Sequence, residues 1–192
     1  MMSLKEKFQN GKIPVVNLLK IDTGQFLEKN ASQSYMRMKT KAKNEGVNID
    51  LTGNSSGYRI CGNKGDYNSG LSNGQFTQWY AWELYKSGKG NLAANPSNSS
   101  GCSSNHGWGI AIDVKGYKAR QWIRKNGEKY GWWWSGGTFS SIEDWHFDYD
   151  IVRDTFRKTK PQINKILIYS MLATAVVGLG FSLYYFSSRN KR

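Results

Sequence analysis

The chain has 192 residues, enough for one domain with a real hydrophobic core and some additions. Lys and Arg number 27 against 14 Asp and Glu, a net charge of +13, so the surface attracts polyanions without selecting among nucleic acid, anionic lipid and anionic wall polymers. No zinc-finger spacing, helix-turn-helix signal or stacking-aromatic motif is present, which argues against a specific nucleic-acid partner, and two cysteines are too few for a disulfide framework or a thiolate metal cage.

Residues 1–9 read as a frayed basic lead-in, and the N-terminus lacks the apolar stretch of a secretory signal. From Asn10 to Leu27 apolar and polar residues mix, and Ile13, Val15, Val16, Leu18 and Leu19 are expected to lie along the core without regular structure. A first helix follows, with Asn30 as N-cap, Gln33 completing a capping box, and Ala31, Tyr35, Met38 and Ala42 at helical spacing until Gly46. Its other face, Arg37, Lys39, Lys41 and Lys43, reads as solvated. Val47 to Leu51 alternates like a short strand, and the turn Thr52-Gly53-Asn54 leads to Gly57-Tyr58-Arg59.

Residues 62–74 are rich in Gly, Asn and Ser and read as a loop suited to rim a cleft. A second helix is expected over 75–87, with Phe76, Trp79, Tyr80 and Leu84 as its core stripe and Gln78 exposed. The stretch from Asn95 to Asn105 is a loop of Ser and Asn. Cys61 and Cys102 flank the two loops beside Arg59 and His106, either clamping them by a disulfide or standing as two thiols.

Both histidines of the chain fall in two short stretches, Ser104-Asn105-His106-Gly107-Trp108-Gly109-Ile110-Ala111-Ile112-Asp113 and Glu143-Asp144-Trp145-His146. In the first, a loop opens into a short strand, so that His106 and Asp113 can face one metal ion. The second adds an imidazole and a carboxylate three residues before it. Between them, a third helix over 117–128 buries Ala119, Trp122 and Ile123. The adjacent Trp132, Trp133 and Trp134 cannot all face inward on a strand, so at least one lines a cleft or covers a sheet edge.

These two stretches match SxHxxGxAxD and ExWH, and in them the chain resembles the zinc D-alanyl-D-alanine carboxypeptidases and the phage L-alanyl-D-glutamate endolysins. The resemblance spans about Asn10 to Phe147. It implies an α+β domain over 10–150, with a small, mainly antiparallel sheet and helices packed on one side. It assigns His106, Asp113 and His146 as zinc ligands, choosing Asp113 over the neighbouring carboxylates Asp144, Asp148 and Asp150. Two nitrogens and one oxygen suit zinc and leave a fourth position for water, whereas a structural zinc site normally has four protein ligands. The resemblance further implies Glu143 as general base and Arg59 lining the substrate cleft, where a guanidinium fork grips carboxylate or carbonyl oxygens. Ser104 is a weaker substrate-binding candidate, as is Gln78, which falls in a segment running into the phage-like Gly90-Asn91-Leu92-Ala93-Ala94. The implied substrate is a peptidoglycan stem peptide. The approach to His106 is longer than in the family, which leaves substrate choice open. A competing reading is a structural virion or membrane protein that keeps the fold as a wall-binding module.

Composition shifts at a basic linker, 151–165, and Ile166 to Phe186 then carries no charge. About 21 residues make about 31 Å of helix, enough to span a bilayer, so 166–186 reads as a C-terminal transmembrane anchor followed by a basic tail, 187–192. Ser170, Thr174, Gly178 and Ser182 recur every fourth residue, a small-residue seam suited to self-association. The positive flank from Arg153 to Lys165 outweighs Arg189, Lys191 and Arg192, which favours a cytoplasmic domain. Peptidoglycan lies on the other side, a conflict that an internal virion membrane or release from a failing host membrane resolves.

Overall fold

The computed structural model describes residues 4–21, 24–71, 74–97 and 102–157. The span expected at 166–186, its seam and its tail lie outside them. No helix among the described residues is long and apolar enough to cross a membrane.

The fold is mixed α+β. Helix α1 (Leu4–Lys7) is a single turn, and β1 (Leu19–Lys20) and β2 (Phe26–Leu27) form a small antiparallel hairpin before α2 (Lys29–Asn44). The main sheet is antiparallel in the order β3-β4-β6-β5, built from β3 (Asp50–Leu51), β4 (Ala111–Lys115), β5 (Tyr130–Trp133) and β6 (His146–Asp154). Helix α3 (Gln78–Lys86) precedes β4, and α4 (Tyr117–Asn126) joins β4 to β5.

Strand alternation sorts the sheet into two faces. Ile112 and Val114 of β4, Phe147 and Tyr149 of β6 and Trp132 of β5 turn to one side. There they meet Tyr35 and Met38 of α2 and Trp122 and Ile123 of α4 in the main core. Asp113, His146 and Asp148 occupy the alternate positions and face away. Gly131, at φ +84°, lets the β5–β6 ladder shift register where the Tyr149 ring crosses close to its Cα.

Several expectations need correction. The first helix is capped by Glu28, whose carboxylate accepts from the backbone N–H groups of Asn30 and Ala31, rather than by Asn30. A negative group there also meets the positive end of the helix dipole. The lead-in is not frayed at residues 4–8: Leu4 and Phe8 pack against a second cluster of Ile13, Leu18 and Tyr58. The segment 10–27 contains the β1–β2 hairpin, and Val16 is 89% exposed. In α3 the aromatic stripe is only half-buried, and the fully buried member is Gln78, 1% exposed. The basic stretch expected as a linker begins inside β6, since Arg153 is a strand residue.

Candidate metal centre

The antiparallel pairing of β4 with β6 sets Asp113 directly opposite His146, on the same face. His106 reaches them from a short 3-10 turn, Asn105–Trp108. Ser104 caps that turn, its hydroxyl accepting from the His106 N–H. Gly107 follows because a side chain there would collide with Asn10 and the backbone of Gly11, which binds the Gly107 carbonyl at 2.8 Å. The turn is fixed from outside as well, by a Cys61–Cys102 disulfide that ties it to the irregular segment carrying Arg59.

The three ligand atoms lie within 4.8 Å of one another. His106 Nε2 is 3.3 Å from Asp113 Oδ2, and His146 Nδ1 is 3.0 Å from Asp113 Oδ1. Ligands about 2.1 Å from a tetrahedral zinc are spaced about 3.4 Å apart, so these residues fit the ion. The outer ring nitrogens fit it too. His106 Nδ1 is 2.9 Å from the Gly57 carbonyl and His146 Nε2 is 3.1 Å from Asp148 Oδ1. Both partners can accept, so with a metal bound each outer nitrogen would keep its proton and each inner nitrogen would turn a lone pair to the same point. Asp148 is held in turn by Asn105 Nδ2 at 2.8 Å.

The electrostatics favour a cation. Burial disfavours charge on Asp113, yet His106 and His146 outweigh it and hold the carboxyl well below its ordinary range. Burial likewise disfavours charge on His146, but Asp113 and Asp148 push its pKa up to about 10. Burial lowers the His106 pKa, against the opposing pull of Asp113. Glu143 sits 3.9 Å from His146 Nδ1, and burial followed by the Asp113 charge raises it to about 7, the range of an effective proton acceptor. Its backbone carbonyl accepts from Trp134 Nε1 at 3.0 Å.

Arg59 is buried beside this cluster, 3.6 Å from Asp113 Oδ2, with Nε and Nη2 on the Ser55 carbonyl and Nη1 on Gln78 Oε1 at 3.0 Å. Gln78 Nε2 donates to the Ala94 carbonyl. An exposed glutamine was expected, and instead Gln78 braces Arg59 from α3. All seven residues singled out by sequence line one cleft of about 850 Å³. None of the described residues of the 62–74 loop lines it, nor do the three adjacent tryptophans. Trp132 is core, while Trp133 and Trp134 stack under Arg153 and Arg124.

Sequence reasoning treated Asp148 only as a rival ligand and passed over Asn105. The signal for Asp148 was its position two residues after His146 in a strand, which puts both on one face. Asn105 had no such signal, because its bond to Asp148 spans 43 residues.

No protein-family model matches the chain, and no curated protein matches its sequence. Among solved structures it is similar to the LdcB LD-carboxypeptidase, with a TM-score of 0.50, 18% identity, and 77% of this chain and 75% of that one covered. It is also similar to VanYB in complex with D-alanine-D-alanine (TM-score 0.49, 17% identity, 80% and 88% covered). A variant of the vancomycin-resistance D,D-pentapeptidase VanY in complex with Zn(II) gives a TM-score of 0.45 and 19% identity over 71% and 82%. The likeness to LdcB is one of fold.

Proposed function

We propose that this chain is a membrane-anchored zinc metallopeptidase that hydrolyses peptide bonds in peptidoglycan stem peptides, as an L-Ala-D-Glu endopeptidase or a D,D-carboxypeptidase, in phage entry or lysis. The observation that carries the reading is the convergence of His106 Nε2, Asp113 and His146 Nδ1, with both outer nitrogens held by acceptors and Glu143 alongside. Zinc bound there would supply Lewis-acid activation of the scissile carbonyl and of water. Glu143 would take a proton from the attacking water and return it to the leaving amine. Arg59, fixed by Ser55 and Gln78, would orient substrate oxygens, and Ser104 would hold the His106 turn at the cleft wall. The fold shared with LdcB supports a stem peptide as substrate, as do the SNHGWGIAID and EDWH motifs.

Anchoring rests on the uncharged stretch 166–186 and its basic flanks, and the seam of Ser170, Thr174, Gly178 and Ser182 would mediate self-association. The Cys61–Cys102 bond supports a domain that works in an oxidising compartment, the wall side of the membrane, against the bias of the flanking charges. Protease treatment of intact right-side-out vesicles tests this: digestion of the domain supports the wall side, and protection contradicts it.

The activity is tested by new amino groups released from a synthetic stem pentapeptide. Zinc-loaded chain should release them, and chelation should stop it. A folded, zinc-loaded chain that cuts neither this peptide nor purified peptidoglycan overturns the peptidase reading and promotes a wall-binding module.

A further inference from the structure

The cleft runs on past the metal centre along β4. Lys115 follows Asp113 by two residues and leaves the same strand face about 6.6 Å further along. It lines the cleft's end with Arg120 from the first turn of α4 and with Thr52 and Asn54.

The carboxylates around this end are already paired. Asp50, opposite Lys115 in the β3–β4 ladder, lies 3.8 Å from Lys39 Nζ. Asp144 binds Arg124 at 2.7 Å. Arg37, Arg120 and Arg124 each bury an Nε without a hydrogen-bond partner, but Arg37 and Arg124 set Nη2 on a carboxylate at 2.7 Å. Among the described residues, the side chains of Arg120 and Lys115 have no hydrogen bond or ion pair. Among the described residues, a half-buried guanidinium and an ammonium thus face the cleft without an ion pair, although Asp50 lies across the ladder from Lys115.

We propose that Lys115 and Arg120 form an anion subsite that takes the free carboxylate of a substrate residue flanking the bond that is cut. The inference rests on the peptidase reading and sharpens it to peptides carrying an acidic residue beside the scissile bond. The offset from Asp113 corresponds to two residues of extended chain, within reach of a side-chain or α-carboxylate next to the reaction centre. Arg120 supplies a planar fork that matches a carboxylate, and Lys115 a mobile point charge beside it.

The test compares two stem peptides identical except that the flanking residue, a γ-linked D-glutamate, bears a free α-carboxylate or its carboxamide. Binding of each to the metal-free full-length chain is measured by calorimetry, and hydrolysis by the zinc-loaded chain separately. The wild type should bind the acid about tenfold more tightly, as expected for a charge-assisted hydrogen bond, and the same ratio should appear in KM with kcat little changed. A Lys115→Gln/Arg120→Gln variant should lose the preference while treating the carboxamide as the wild type does. Lys115→Gln alone, at an exposed side chain, keeps the test readable if the double variant unfolds. Equal binding of acid and amide by the wild type, or a preference that survives in the variants, overturns the subsite. Preferential binding without hydrolysis of either peptide keeps the subsite and sinks the peptidase reading.

Discussion

Replacing Asp148 probes how the fold prepares its metal site. Asp148 is 6% exposed, accepts from His146 Nε2 at 3.1 Å and from Asn105 Nδ2 at 2.8 Å, and does not line the cleft. In Asp148→Ala the His146 ring loses the acceptor that fixes its tautomer, so the Nδ1 lone pair no longer points dependably at His106 and Asp113. Loss of such an outer partner typically costs about 10- to 100-fold in metal affinity, or about 1.4 to 2.7 kcal/mol. Asp148→Asn keeps the size and one acceptor but not the charge, and should fall between wild type and alanine. Zinc affinity is read by competition with a chromophoric chelator at fixed pH, with thermal unfolding of the metal-free chains as the control for folding. A folded Asp148→Ala chain that holds zinc as tightly as wild type would refute the reasoning.

Glu143→Gln should lower kcat by about 10²- to 10⁴-fold while zinc stoichiometry stays at one, as measured by metal analysis beside peptide hydrolysis. Zinc binding must displace the proton that Asp113 and Asp148 stabilise on His146, pushing its pKa up to about 10 against the effect of burial. Below that value protonation competes with the metal, so apparent affinity should rise with pH between about pH 6 and 8, and calorimetry in two buffers should show proton release. Reducing the Cys61–Cys102 bond, which closes a sequence separation of 41 residues, should cost about 4 kcal/mol by the loop-entropy relation. Denaturant unfolding with and without reductant measures it, and a Cys61→Ser/Cys102→Ser chain should match the reduced protein.

The grouping of His106, Asp113 and His146 was legible because two motifs concentrate both histidines, and β alternation explains why Asp113 and His146 share a face. The choice of Asp113 over the neighbouring carboxylates came from the motif resemblance, and the β4–β6 pairing that sets it opposite His146 is visible only in the fold. The core of α2 was legible from periodicity: Ala31, Tyr35, Met38 and Ala42 recur at helical spacing, and all are buried. The cap was not, since Glu28 caps from a residue type outside the usual Ser, Thr, Asp and Asn set. Gln78 shows a deeper limit. Its neighbours Trp79, Tyr80 and Leu84 look like a core stripe, yet α3 turns its polar residue inward. There Gln78 satisfies a guanidinium 19 residues away in sequence, a demand that no local pattern records. The Lys115 and Arg120 pair was hidden likewise, because an ordinary basic surface and an unpaired pair in a cleft read alike until the carboxylates around them are assigned.

The account turns on a metal ion held by three named atoms. Anomalous diffraction at the zinc edge, from crystals of the zinc-loaded chain, addresses this directly. The predicted result is a single strong peak within about 2.2 Å of His106 Nε2, an Asp113 carboxylate oxygen and His146 Nδ1, with His146 Nε2 still bonded to Asp148. A peak on His146 Nε2 and Asp148, or none in the cleft, would contradict it.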